Sequence, residues 1–142
     1  MSITRNIVQI PALVDLHVHF REPGFSYKET IRSGSIAAAA AGYSEVFTMP
    51  NVSPAPDCLE HLQVQQDIIA KDAIIGVHPY ASITLGQKGA GELVDFVLLS
   101  PHVLGFSDDG RGIQDETLMH DAMKQCKAVG GLIVAHCEVD NL

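Results

Sequence analysis

The 142-residue sequence contains no tryptophan, only three cysteines and few positive charges. Lysine and arginine number 9 against 17 aspartates and glutamates, which gives a formal charge of −8 at pH 7. Nucleic acids and anionic membranes bind to basic surfaces, so this balance argues against either as the main partner. The cysteines are widely spaced without a CxxC pair, so the sequence predicts neither a disulfide framework nor a thiolate zinc knuckle.

Long apolar runs are absent as well. No run reaches the roughly 18 residues of a membrane span, and the first residues lack the pattern of a secretory signal peptide. A cytoplasmic protein is the resulting expectation. Apolar residues still make up 46% of the chain and charged residues 18%. That composition predicts a single globular domain over residues 1–142.

Short apolar segments alternate with amphipathic ones along the chain. Five apolar segments, at residues 12–20, 44–51, 73–82, 102–109 and 131–138, are typical of buried parallel strands. Helices are predicted over residues 28–41, from a capping box of Asp57 and Glu60 onward, over residues 91–99, and between Asp115 and Gly130. This alternation predicts an α/β fold, either an open doubly wound sheet or part of a (β/α)8 barrel. No GxGxxG follows the first strand, which disfavours a dinucleotide-binding fold.

Polar residues collect at the C-terminal ends of four predicted strands. The carboxyl ends of parallel strands meet at one edge, where α/β barrels have their active sites. We therefore expect these side chains to converge although they are distant in sequence. They are His17, His19 and Arg21 after the first strand, Asn51 after the second, Asp108 and Asp109 after the fourth, and His136 after the fifth.

His17 and His19 are two residues apart on a strand, so both side chains project from one face. Two such imidazoles can bind one cation at about 2.0–2.1 Å, whereas a bare HxH is more often a pair of ordinary histidines. Arg21 follows on the same alternation and can bind a substrate carboxylate through its planar guanidinium. The Asp108–Asp109 pair can be turn chemistry or a carboxylate that bridges two cations. Periodicity leaves open which of the two aspartates faces inward.

Five segments resemble successive signatures of the bacterial type I dihydroorotases, members of the amidohydrolase superfamily. The segments are VDLHVHFREPG, FTMPNVSPAPD, PYASIT, GFSDDGRGIQ and IVAHCE, and the resemblance runs from about Pro11 to Leu142. HxHxRxPG together with MPN is specific to this family, whereas HxH alone indicates only the superfamily. The resemblance implies a TIM-like (β/α)8 barrel of the metal-dependent hydrolase type with one or two zinc ions. The implied reaction is the reversible cyclisation of N-carbamoyl-L-aspartate to L-dihydroorotate in pyrimidine biosynthesis.

Carried over residue by residue, the resemblance assigns His17 and His19 to one zinc ion and His136 to a second. Asp109 would bridge the ions, in place of the carboxylated lysine of many relatives, and is the catalytic candidate within this chain. Asp108 is expected to support the metal ligands without binding the metal itself. The resemblance assigns substrate binding to Arg21, Asn51 and His19.

The chain departs from the family in length. A (β/α)8 barrel takes about 250 residues, and this sequence supplies only about five β/α units. The family's sixth-strand zinc ligand and eighth-strand catalytic aspartate, its general acid or base, would lie beyond Leu142. We therefore expect an incomplete barrel with little activity of its own. Its open edges predict a complementing chain or a homo-oligomer, and aspartate transcarbamoylase is a further candidate partner.

Three alternatives stay open at this point. A hydantoinase or allantoinase would share HxH but usually carries the bridging lysine that FSDDG lacks. A non-catalytic dihydroorotase-like subunit that supports aspartate transcarbamoylase tends to lose the metal histidines, which this sequence retains. A plain α/β domain with an incidental polar rim must explain four strand ends at once.

Overall fold

Strands and helices alternate along residues 8–139, which are the residues that the computed structural model describes. The strands are β1 (Leu13–Val18), β2 (Tyr43–Thr48), β3 (Gly76–Pro79), β4 (Gly105–Phe106) and β5 (Leu132–Ile133). The helices are α1 (Ile31–Ala40), α2 (Leu59–Asp72), α3 (Phe96–Leu99) and α4 (Glu116–Ala128), and a 3₁₀ turn covers Ser100–His102. The predicted α/β alternation is therefore present, with strands and helices shorter than the sequence patterns predict.

Neighbouring strands are parallel and follow one another in chain order. β1, β2 and β3 form one sheet, and β4 pairs with β5. A parallel bridge between Ala81 and Phe106 joins the two sheets, and it is supported by hydrogen bonds from Ala81 N to Gly105 O (3.2 Å) and from Ser107 N to Ala81 O (2.8 Å). The resulting order, 1-2-3-4-5, lacks the reversal that defines a doubly wound sheet.

The core is divided between two apolar clusters. One lies between β1–β3 and helices α1 and α2, and is centred on Ile31 and Val46, which are fully buried. The other surrounds Phe106, whose ring centroid lies 4.4 Å from that of Phe96. Each fully buried aliphatic or aromatic side chain of this kind contributes about 1.5–3 kcal/mol. The helices thus cover one face of β1–β3.

The helix N-termini confirm one predicted cap and correct another. Asp115 caps α4 as predicted, because its carboxylate accepts hydrogen bonds from the backbone N–H groups of Thr117 and Leu118. The capping box predicted for Asp57 is wrong, since α2 begins after Cys58, which has no side-chain cap. The Asp57 carboxylate instead accepts a hydrogen bond from Gly86 N at 2.6 Å. The other carboxylate oxygen lies 2.6 Å from His61 Nδ1 in the first turn of α2, so Asp57 has one tertiary partner and one local side-chain partner in place of the predicted cap.

The outer strands carry exposed apolar side chains. Val14 and Leu16 on β1 are 52% and 57% exposed, and Leu132 on β5 is 51% exposed. Within the described residues, β1 pairs only with β2 and β5 only with β4. Between residues 8 and 139, no helix has both the length and the apolar composition needed to span a bilayer.

Candidate metal centre and active site

His17 lies near the C-terminal end of β1 and His19 directly after it, with their rings in an edge-on contact. Their Nε2 atoms are 3.2 Å apart and their ring centroids 5.1 Å apart. The alternation of the strand therefore places both imidazoles on one face, as the sequence predicts. Two ligand atoms of a tetrahedral zinc ion, each about 2.0–2.1 Å from the metal, lie about 3.3 Å apart. The spacing of the two nitrogens fits that donor geometry.

Asp109, three residues after β4, supplies a carboxylate to the same point. Its Oδ1 is 3.6 Å from His17 Nε2 and its Oδ2 is 3.6 Å from His19 Nε2. One ligand atom from each of the three residues lies within 4.8 Å of the others. Asp109 is only 4% exposed, and its backbone is held by hydrogen bonds to Ser107 Oγ and from Gln87 Nε2. Two imidazoles and a fixed carboxylate form a donor set suited to zinc.

His136, beyond the end of β5, approaches the same carboxylate. Its Nδ1 is 3.2 Å from Asp109 Oδ1, and its Nε2 donates to Glu138 Oε2 at 2.8 Å. The Glu138 hydrogen bond, and then the charge of Asp109, raise the pKa of the His136 imidazole. His136 does not belong to the group whose ligand atoms all lie within 4.8 Å of one another. Glu138 was not among the predicted site residues, although its i+2 spacing from His136 is a strand-like signal.

Asn51 connects the first strand end to the fourth. Its Nδ2 donates to Asp109 Oδ2 at 3.1 Å and lies 3.0 Å from His19 Nδ1. Arg21 Nη1 donates to the backbone carbonyl of Asn51 at 3.4 Å. Asn51 thus contacts both of the other residues predicted to bind substrate, Arg21 through its backbone and His19 through its side chain.

The loops that carry Arg21 and Asn51 pack closely together. Ser53 N donates to Pro23 O at 3.0 Å. Gly24 has a φ of +91°, and a Cβ atom there would lie 2.4 Å from Ser53 O. A side chain at this position would meet backbone, so glycine permits the contact. The REPG loop is thereby held against the second strand end.

The side chain of Asp108 points to the side opposite that of Asp109, away from His17 and His19. Its buried carboxylate accepts hydrogen bonds from Ile83 N at 2.8 Å, from Thr84 N and Gly89 N at 3.2 Å, and from the Thr84 hydroxyl. Burial raises the pKa of this carboxyl group, and the hydrogen bonds oppose that rise. Asp108 therefore fixes the loop over residues 83–89, and Asp109 is the aspartate that reaches the histidines. Their roles as bridging ligand and supporting residue stay predictions.

Known proteins match this chain over almost its whole length. A family model described as dihydro-orotase-like matches residues 6–142. The dihydroorotase of Bacillus caldolyticus is 50% identical over 134 residues, which are 94% of this chain and 31% of that protein. The dihydroorotase of Fusobacterium nucleatum is 46% identical over 129 residues, which are 91% of this chain and 30% of that protein. The chain thus spans about a third of the length of these relatives.

A solved structure provides a comparison of folds. The crystal structure of a dihydroorotase from Campylobacter jejuni superposes with a TM-score of 0.60 at 14% sequence identity. The match covers 95% of this chain and 43% of that one, and at this identity it concerns the α/β fold alone. The family expected from the five motifs is confirmed by the family model, which covers all of them. The chain belongs to the dihydro-orotase-like family.

Proposed function

We propose that this chain is part of a dihydroorotase, a cyclic amide hydrolase that interconverts N-carbamoyl-L-aspartate and L-dihydroorotate. The observation that carries the proposal is that His17 and His19, at the end of β1, meet Asp109, which follows β4. The dihydroorotases that are 50% and 46% identical to it support the reaction class. The unreversed parallel order 1-2-3-4-5 supports a TIM-like (β/α)8 barrel, of which this chain supplies the first five units.

Zinc suits these donors, because imidazole nitrogens and carboxylate oxygens are both common zinc ligands. His17, His19 and Asp109 would hold one ion, and His136 together with Asp109 would hold a second. When bound, zinc supplies a Lewis acid for the amide carbonyl and lowers the pKa of a water ligand. Asn51 holds the Asp109 carboxylate and the His19 ring through its side-chain amide. Asn51 thus holds two of the proposed ligands in place independently of the metal.

Arg21 and Asn51 are proposed to bind the substrate carboxylate. Arg21 is half-buried and is tied to the Asn51 backbone, so its guanidinium is directed towards the site at little further entropic cost. A planar guanidinium matches a carboxylate with two parallel hydrogen bonds. The contribution of these residues is orientation of the amide relative to the histidines. A general acid for the leaving nitrogen would come from another part of the enzyme.

The exposed apolar side chains of β1 and β5 support the need for further protein. Val14, Leu16 and Leu132 are each more than half exposed, and unpaired strand edges associate readily. We propose that a complementing chain or a second copy covers these edges, and that the 142-residue chain alone has little activity. A cytoplasmic location and binding of aspartate transcarbamoylase stay predictions.

Zinc titration of the purified chain tests the proposed function. Competition with a chromophoric chelator would measure the zinc affinity of the wild type, His19→Ala and Asp109→Asn. Each substitution should weaken binding by about 100-fold or more, since even the loss of an outer-shell partner costs 10–100-fold. His120→Ala is the matched control, because His120 lies exposed on α4. Equal zinc affinity in all four proteins would contradict the metal assignment.

A further inference from the structure

Positive charge is scarce in this protein, yet three cations line one cleft. The cleft has a volume of about 480 Å³, and Arg21, Lys88, Arg111 and Asn51 are among the residues that line it. The whole chain has only 9 lysines and arginines and a formal charge of −8. A third of its cations therefore converge beside Asn51, the residue whose side chain contacts Asp109.

The three cations have no acidic partner within the described residues. The ion pairs found between residues 8 and 139 involve other side chains. Glu22 and Glu29, the acids of the first loop, are turned towards α1: Glu22 Oε2 accepts from Ile31 N at 2.9 Å, and Glu29 accepts from the Ser33 hydroxyl. The positive charge of the cleft is therefore free to act on a ligand.

Lys88 and Arg111 belong to loops that are packed against each other. A Cβ atom at Gly89, where φ is +67°, would lie 2.1 Å from Arg111 O, so glycine allows the two backbones to touch. Gln87 donates to Asp109 O at 2.6 Å, and Gly89 N donates to Asp108. The backbone that carries Lys88 is thereby fixed relative to the candidate metal ligand.

We propose that Lys88 and Arg111 form a second anion subsite next to the carboxylate position assigned to Arg21 and Asn51. The inference rests on the proposed function. Of its two ligands, open-chain N-carbamoyl-L-aspartate has two carboxylates and cyclic L-dihydroorotate has one. The subsite captures the second carboxylate of the open-chain dianion before that group reaches the histidines. It makes the chain selective for dicarboxylates over monocarboxylates.

Calorimetric or NMR titration of the 142-residue chain tests the subsite in the presence of a chelator, so that no metal contributes. The probes are N-carbamoyl-L-aspartate and L-dihydroorotate. The test variant is Lys88→Gln/Arg111→Gln. The control is Arg32→Gln/Lys71→Gln, which removes one arginine and one lysine charge from exposed positions on α1 and α2. Circular dichroism would verify that each variant keeps the fold.

The wild type should bind the dianion more tightly than the monoanion. The test variant should lose about five- to tenfold in dianion affinity, as expected for two exposed ion pairs, and less than about twofold in monoanion affinity. The control variant should leave both the dianion affinity and the monoanion affinity unchanged. Raising the salt concentration from about 0.05 to 0.3 M should reduce the wild-type preference, because exposed charges are screened.

Three outcomes would overturn the subsite: no preference for the dianion in the wild type, an equal loss for both anions, or the same loss in the control. Failure of the proposed function can be distinguished from failure of the subsite. A chain that binds no zinc but prefers the dianion through Lys88 and Arg111 retains the subsite and loses the enzyme assignment. A chain that binds zinc through His17 and His19 without that preference loses only the subsite.

Discussion

Asp108→Ala removes the acceptor on which the loop over residues 83–89 depends. In the wild type, the carboxylate receives three backbone N–H groups, from Ile83, Thr84 and Gly89, and the Thr84 hydroxyl. Asp108 itself is 3% exposed and Thr84 is fully buried. Alanine offers no acceptor, so these donors lose their partner inside the protein.

The expected cost follows from counting the donors. A buried donor left without a partner costs about 1–3 kcal/mol, so three N–H groups give an upper range of about 3–9 kcal/mol. Two effects reduce this loss: water enters the space that the carboxylate leaves, and the variant no longer buries a charge. We expect a net loss of about 3 kcal/mol in the free energy of unfolding, a large part of the 5–15 kcal/mol that stabilises a typical domain.

Urea denaturation followed by circular dichroism measures this loss. Asp121→Ala is the control, because Asp121 is half-exposed and its carboxylate lies 3.9 Å from Lys124 Nζ; it should change stability by less than about 0.5 kcal/mol. Hydrogen exchange provides a local readout, since the amides of Ile83, Thr84 and Gly89 should lose protection. An Asp108→Ala variant within about 0.5 kcal/mol of the wild type, with those amides still protected, would refute the reasoning.

The pH dependence gives a second check on Asp108. Burial raises its pKa in the folded chain, so the folded chain binds this proton more readily than the unfolded chain. Stability from this group is therefore present at low pH and is lost as pH rises through the folded pKa. The stability difference between the wild type and Asp108→Ala should be larger near about pH 4 than at neutral pH, and a smaller difference at low pH would contradict the sign.

Three further predictions concern the fold. Gly34→Ala should destabilise the chain by about 1–2 kcal/mol in urea denaturation, because the new methyl group would lie 2.2 Å from Phe20 Cε1 and overpacking outweighs the gain in helix propensity; Phe20→Leu in the same chain should recover part of the loss. Asp115→Ala should cost about 1 kcal/mol through loss of the α4 cap, and Asp115→Asn much less, as thermal melts would show. Iodoacetamide should label exposed Cys137 in the folded chain but Cys126 only after unfolding, as peptide mass mapping would show. The reason is that Cys126 is 2% exposed and that burial raises the pKa of its thiol. Equal labelling rates of the two cysteines would contradict the packing of α4.

Local patterns were sufficient for several features of the fold. The alternation of apolar segments predicted the order of strands and helices, and Asp115 was recognised as a cap because its partners are only two and three residues away. The lengths were overestimated, most of all for β4 and β5, which have two residues each. Apolar composition continues past the point where a neighbouring strand provides hydrogen bonds, so hydrophobicity alone cannot locate the strand end.

Interactions between distant segments decided what those patterns left open. α2 begins after Cys58 and not after Asp57, whose carboxylate accepts a hydrogen bond from the amide of Gly86, 29 residues away, and contacts His61. The subsite formed by Lys88 and Arg111 likewise has no local signal, because the contact of Gly89 with Arg111 brings two separate loops together. Neither partner could be identified from residues near it in the chain.

By itself, the sequence determined that His17 and His19 share a face, because side chains two apart on a strand point the same way. It also determined the family, through motifs that the family model matches. Strand periodicity left open which aspartate faces these histidines, and the family resemblance pointed to Asp109; only the tertiary structure shows that Asp109 faces them and Asp108 does not. The period of two places adjacent residues on opposite faces without specifying which face is which. That choice depends on partners far along the chain: the amides of Ile83, Thr84 and Gly89 for one carboxylate, and the imidazoles and Asn51 for the other.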